Sequence, residues 1–170
     1  MADKLFLLQM AGAPGSGKSA LARLIGRCAG AVVIDKDVLK TAALATGTED
    51  QPAGRIAYEG FFGLAGHLLG QGHSVVLDSP SFYETIPAKG AAIAAERQAP
   101  YYFIECICAD EAELRRRLRD RPRLPSQPSE PVEAQTIAPA GAYLRIDTTQ
   151  PIERCLALAL DYLGLPATDV

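Results

Sequence analysis

A chain of 170 residues is long enough for one folded domain and short for two. Apolar residues make up 48% of it and charged residues 22%, which excludes wholesale disorder. Seventeen Lys and Arg against twenty Asp and Glu leave a net charge of −3, too acidic for a groove that grips extended nucleic acid by counterion release.

Five apolar runs alternate with helical patterns, the rhythm of a parallel sheet with crossover helices on both faces. The first run, residues 5–10, leads through a glycine-rich octapeptide into a helix expected at about 17–29. The second, 31–34, is followed by helices expected at 38–45 and 53–70, the latter with Ala57, Phe61, Leu64, Ala65 and Leu68 as its packing face. Runs at 74–77 and 101–107 precede helices expected at 84–98 and 110–120. A last run, 143–146, precedes a helix over 151–163 capped by Thr149 or Gln150, with Pro151 at its first position. Its apolar stripe is Ile152, Cys155, Leu156, Ala159, Leu160 and Leu163. Between 121 and 139, Pro122, Pro125, Pro128, Pro131 and Pro139 forbid a helix and predict a polyproline-like loop. No run approaches the ~20 residues of a membrane span, and residues 1–11 lack a secretory leader's layout, so the expected location is cytoplasmic, without a membrane partner. Cys28, Cys106, Cys108 and Cys155 show no CxxC pair or metal spacing and read as reduced thiols.

The octapeptide Gly12-Ala13-Pro14-Gly15-Ser16-Gly17-Lys18-Ser19 satisfies G-x-x-x-x-G-K-S/T between the first strand and the first helix. Gly15 and Gly17 allow backbone angles that let successive N–H groups curl around a nucleotide phosphate. Lys18 supplies a charge to bridge the β- and γ-phosphates, and the Ser19 hydroxyl, followed by Ala20 in a helix whose dipole favours anions, is placed to ligate Mg²⁺. The competing reading is a plain glycine turn. Asp35 and Asp37 follow the second strand at the carboxyl edge of the sheet, where open parallel sheets bind ligands; either could instead cap a helix. Residues 75–78 have a Walker B pattern that puts Asp78 toward a metal beside Ser19, although a buried strand ending in an Asp turn reads the same way.

Residues 12–19 with their flanking strand and helix resemble the P-loop nucleotide kinases, in a form similar to the branch of polynucleotide kinases, chloramphenicol phosphotransferases and zeta-toxin-like enzymes. A weaker likeness runs through 35–40, 75–78, 114–121 and 146–151. The resemblance implies a three-layer α/β P-loop NTPase fold with a five-stranded parallel sheet in the order 2-3-1-4-5, one domain over 1–170, an acceptor-side cap at 41–72 and a lid at 114–139. It implies ATP as co-substrate with Mg²⁺, held by Gly12, Ala13, Pro14, Gly15, Ser16, Gly17, Lys18, Ser19 and Ala20, with Thr148 and Gln150 near the adenine. Asp37 with Lys40 is similar to an Asp-x-Leu-Arg segment whose Asp orients and deprotonates the acceptor hydroxyl. Asp35, like Asp78 and Ser19, then belongs to the metal side. Lys40 replaces the usual Arg and lacks its planar fork, which speaks against a nucleic-acid end as acceptor. Arg117 and Arg121 resemble the lid arginines that clamp the transferring phosphate or stack near adenine, with Arg123 as a third candidate; surface ion pairs are the alternative.

The acceptor side is expected to use Asp37, Lys40, Arg55, Tyr58 and Phe82, with Glu59, Phe62, Tyr83 and His67 as further candidates; a structural role is the alternative for His67, Phe82 and Tyr83. The expected activity is transfer of the ATP γ-phosphoryl to a hydroxyl of an antibiotic-like or sugar-like small molecule. A 5′-hydroxyl kinase for short nucleic acids and a non-enzymatic nucleotide-binding module are the alternatives.

Overall fold

The computed structural model describes residues 5–166; the expected domain ends at 1 and 170, and the first four residues read for a leader, lie outside them. Among the described residues the order is β1 (Leu7–Ala11), α1 (Lys18–Ala29), β2 (Val32–Asp35), α2 (Lys36–Ala45), α3 (Asp50–Gly70), β3 (Val75–Asp78), α4 (Thr85–Glu96), β4 (Tyr101–Ile107), α5 (Glu111–Asp120), β5 (Leu144–Asp147) and α6 (Ile152–Leu163). The strands pair in parallel in the order β2-β3-β1-β4-β5, as expected. The sheet grows from β1 toward β2 on one side and toward β5 on the other. That reversal opens a crevice at the carboxyl edge beside β1.

Period-two alternation divides β1 between two cores. Phe6, Leu8 and Met10 meet Leu21 and Ile25 of α1 and Leu156, Leu160 and Leu163 of α6. Leu7, with Val75 and Leu77, meets Phe61, Phe62 and Leu69 of α3 and Ile86 of α4 on the other face. Both faces being covered, every residue of β1 is buried. Gln9 is among them: its Oε1 accepts a hydrogen bond from the Tyr101 hydroxyl at 2.8 Å, while its Nε2 has no partner. Helix α4 passes so close that a Cβ on Gly90 would overlap Oε1.

Several expectations need correction. Helix α2 begins at Lys36, two residues early, because the Asp35 carboxylate accepts from the Asp37 N–H at 2.8 Å and caps it. Helix α3 begins at Asp50, and its buried face is Ala53, Ala57, Phe61, Phe62, Ala65 and Leu69. Leu64 is exposed and Leu68 half-buried, because the helix is turned to bury Phe62 against Tyr58 and Phe61. The stripe on α6 is buried as read, apart from half-buried Ile152, and Pro151 itself occupies the cap. Residues 121–139 form neither helix nor strand. All four cysteines are free, and no helix among the described residues is long and apolar enough to cross a membrane.

The proline-rich segment nonetheless has fixed points. The Ser126 hydroxyl donates to the Asp37 carbonyl at 2.9 Å and lies 3.0 Å from the Thr41 hydroxyl. Farther along, the Ile137 N–H donates to the Ser81 carbonyl and the Ser81 hydroxyl donates to the Ile137 carbonyl, both at 2.6 Å. The strap is thus stitched to α2 at one point and to the β3–α4 connection at another.

Candidate active site

The loop from β1 to α1 is shaped by two close approaches. Gly12, at φ 135°, lies against the Cys106 carbonyl so tightly that a Cβ would overlap it. Gly17, at φ 82°, is the left-handed residue from which α1 starts, and behind it stands Thr148. The N–H groups of Lys18 and Ser19 have no carbonyl within the helix to bind and sit at the positive end of its dipole, while those of Ala20 and Leu21 bond the Gly17 carbonyl at 3.1 Å. Lys18 is 7% exposed, and its Nζ lies 4.0 Å from Asp78 Oδ1.

A brace holds the nest from behind. The Thr148 hydroxyl lies 2.7 Å from the Ser16 carbonyl and 3.0 Å from the Ile107 carbonyl, and accepts from Arg117 Nη1 at 2.9 Å. Arg117 Nη2 donates to the Thr148 carbonyl at 2.8 Å and its Nε to Glu113 at 2.7 Å. Hydrogen bonds from Arg116 and Arg117 hold the Glu113 carboxyl down at about 2. Gln150 bonds the Asp147 carbonyl within the same connection.

Three carboxylates reach the carboxyl edge. Asp35 and Asp78 end β2 and β3 as register partners. Burial, and then the charge of Asp78, raise the Asp35 carboxyl above its ordinary value. Asp78 is 3% exposed, and its Oδ1 has no hydrogen-bond partner. A buried carboxylate oxygen with no hydrogen bond and only the Lys18 ammonium at 4.0 Å, beside a second carboxyl, suits a hard cation. No group of three or more His, Cys, Asp or Glu among the described residues is set to hold a metal alone. Mg²⁺ bound with a nucleotide needs only one or two protein oxygens, since phosphates and water supply the rest, so the paired Asp78 and Asp35 fit that role, while Ser19 lies at the start of α1 among Gly17, Lys18 and Ala20.

Asp37 forms an ion pair with Lys36, which is itself buried and sits 5.7 Å from the centre of the Tyr58 ring. Burial, followed by the charge of Asp37, pushes the Tyr58 hydroxyl up to about 12, and that hydroxyl donates to the Pro80 carbonyl at 3.3 Å. These groups line a cavity of about 690 Å³ that runs from Pro14 and Lys18 past Asp37 to α3 and the strap. Lys40, Arg55, Phe82 and Arg121 also line it. Lys40 is paired with Asp50 at 2.7 Å. Arg121 follows α5, donates from Nη2 to the Pro128 carbonyl at 3.1 Å, and has a buried Nε with no partner. Burial lowers its pKa.

The residues expected on the acceptor side therefore meet in one space, with Glu59, Phe62 and Tyr83 among its walls. His67 does not line it and is exposed elsewhere on α3, and exposed Arg123 borders a separate depression with Arg119. Arg117 stands beside Gly17 and Ser19 on the far side of the nest, together with Ala20, its donors turned to Thr148 and Glu113. Sequence reading missed Lys36, the Thr148 brace and the anchoring serines. Only Lys36 carried a signal, as a cation between two candidate acids.

Among solved structures, the chain is similar to a sugar kinase from Janibacter sp. HTCC2649 (16% identity, TM-score 0.70), covering 97% of this chain and 99% of that one. It is also similar to the Mycobacterium tuberculosis APS kinase in complex with AMPPNP and APS (20% identity, TM-score 0.73, 95% and 98% covered). A gluconokinase from Sinorhizobium meliloti 1021 aligns at 20% identity and TM-score 0.61, over 96% and 94% of the two chains. No curated protein matches the sequence. At these identities the likeness establishes the P-loop NTPase fold. Residues 7–138 match the family AAA_33, described as an AAA domain, and with most of its length inside that match the chain belongs to this family of P-loop kinases.

Proposed function

We propose that the protein transfers the γ-phosphoryl group of ATP to a hydroxyl of a small sugar-like or antibiotic-like molecule. The observation that carries this reading is the continuity of the cavity: Lys18 of the nest, Asp37 at the sheet edge and Arg121 of the strap all border one space of about 690 Å³, a volume typical of small-molecule sites. The solved kinases of like fold, one of them holding AMPPNP, support the same class of chemistry.

In this reading the nest amides and Lys18 hold the triphosphate tail, and Arg121 offsets charge that develops on the transferring group. Asp37 accepts a hydrogen bond from the acceptor hydroxyl, aligns its oxygen with the γ-phosphorus, and takes its proton as the new O–P bond forms and ADP leaves. Lys36 fixes the direction of that carboxylate. Mg²⁺, held by Ser19 and Asp78 with Asp35 nearby, would supply further neutralisation of phosphate charge. Arg117 and Thr148 keep the nest in shape, with Thr148 and Gln150 on the nucleoside side.

The test is transfer from labelled ATP to pooled hydroxyl acceptors, with ATP binding read separately. Asp37→Asn is expected to bind ATP normally and lose transfer by about 10²-fold or more. Undiminished transfer would remove Asp37 from the chemistry. ATP binding with neither transfer nor hydrolysis in the unaltered protein would instead indicate a nucleotide-binding module.

A further inference from the structure

We propose that the acceptor is itself an acid: a small polyhydroxylated molecule with a carboxylate or phosphate group, bound through Arg55 while its hydroxyl faces Asp37. This rests on the phosphotransferase reading above and narrows its substrate class.

The first observation is a local reversal of charge. Acids outnumber bases over the chain, 20 to 17, yet six Lys and Arg side chains line the cavity against three acids. A cleft dominated by one sign concentrates ligands of the other.

The second is which charges are already satisfied. Asp37 is the one deep acid of the lining, its side chain 15% exposed, and Lys36 neutralises it. The other two, Asp50 and Glu59, are at the rim, 78% and 74% exposed, and carry Lys40 and Lys89. An amino acceptor would therefore find no free carboxylate, and would meet Lys36 on its way to Asp37. Lys18 is turned toward Asp78 and the nest.

Two cations remain uncommitted. Arg121 bonds only a carbonyl and keeps a buried Nε without a partner. Arg55, itself exposed toward the rim, has no ion pair among the described residues and lines the same cavity. The transferring phosphoryl accounts for Arg121 in the proposed chemistry. Arg55 has no such use, and it stands one helical turn before Tyr58 and two before Phe62, on the cavity-lining face of α3. A planar fork on the helix face that also carries Tyr58 and Phe62 suits a carboxylate or phosphate attached to a carbon frame.

The test uses the full chain loaded with AMPPNP and Mg²⁺ and measures calorimetric affinities for four six-carbon polyol probes, glucose, glucosamine, gluconate and glucose 6-phosphate, with open-chain sorbitol as the neutral control for gluconate. At least one of the two acids is expected to bind about 10-fold or more tightly than glucose, glucosamine and sorbitol, the gain from one charge-assisted contact. Gluconate and glucose 6-phosphate separate a carboxylate from a phosphate as the recognised group. In Arg55→Gln that preference is expected to collapse, and in Arg55→Lys to survive in part, with AMPPNP affinity reporting that the fold is intact. Equal affinities, tightest binding of glucosamine, or an acid preference that persists in Arg55→Gln would overturn the proposal. Transfer from labelled ATP is read in parallel: an acid preference without transfer leaves the charge assignment standing and removes the kinase reading, while transfer to glucose or glucosamine in preference does the reverse.

Discussion

Replacing Thr148 by valine tests whether the phosphate nest is held by its backbone alone. Valine keeps the shape of threonine and removes the oxygen that lies 2.7 Å from the Ser16 carbonyl, 3.0 Å from the Ile107 carbonyl and 2.9 Å from Arg117 Nη1. A hydroxyl has one proton, so it serves one carbonyl at a time, and the loss amounts to one donated and one accepted bond. Both Thr148 and Ser16 are buried, so water does not replace them freely. Such a deletion costs about 1–3 kcal/mol, which for a chain of this length lowers Tm by roughly 2–12 °C. Thermal unfolding followed by circular dichroism, with and without ATP and Mg²⁺, should show that fall and a smaller stabilisation by nucleotide, because binding must first restore the nest. Thr148→Ser, which keeps the hydroxyl, should retain most of both. A valine variant that melts and responds to ATP like the parent, or a serine variant that loses as much as valine, would refute the brace.

Three other perturbations have definite expected outcomes. Gly12→Ala forces a Cβ into the Cys106 carbonyl at a left-handed φ, and urea denaturation should show a loss of about 3 kcal/mol or more. Asp35→Asn should stabilise the nucleotide-free protein at neutral pH. The folded-state pKa of Asp35 is raised, so the native state binds its proton more tightly than the unfolded chain, and stability falls as pH rises from the unfolded value near 3.8 through the folded one. Asparagine still caps α2 and lacks that penalty, so its advantage in a urea titration should shrink as the pH is lowered toward 4. Ser126→Ala cuts the stitch between strap and α2, and hydrogen exchange of the amides around 124–128 should quicken by about 2–10-fold while global unfolding stays nearly unchanged.

What was legible in the sequence had a local signature. The octapeptide 12–19 announces itself because strand, turn and helix are contiguous, and the strand order followed from the likeness it carries. The place of Asp37 and Asp78 at the carboxyl edge of the sheet follows from their lying just after apolar runs, and the strap from its prolines. What escaped depends on residues far apart in the chain. Thr148 reaches Ser16 across 132 positions, and Ser126 reaches Asp37 across 89. The face of α3 was misread at Leu64 because the helical period allows two adjacent stripes, and only the aromatic cluster of Tyr58, Phe61 and Phe62 decides between them. The likeness marks Arg117 as a lid arginine, but its direction follows from Glu113 and Thr148 rather than from its place in a motif.

The buried amide of Gln9 has a consequence for where the nest begins. A strand clothed in hydrocarbon on both sides has little to choose between neighbouring alignments. Sliding β1 by one residue would carry Gln9 from its hydroxyl partner on Tyr101 into the aliphatic layer formed by Leu21, Ile25 and Leu160. The misplaced amide would forfeit its bond there, a larger loss than any gain from the shift. Gln9 thus works as an index mark on the central strand, and Gly12, three positions on, meets the Cys106 carbonyl only when that mark is in place.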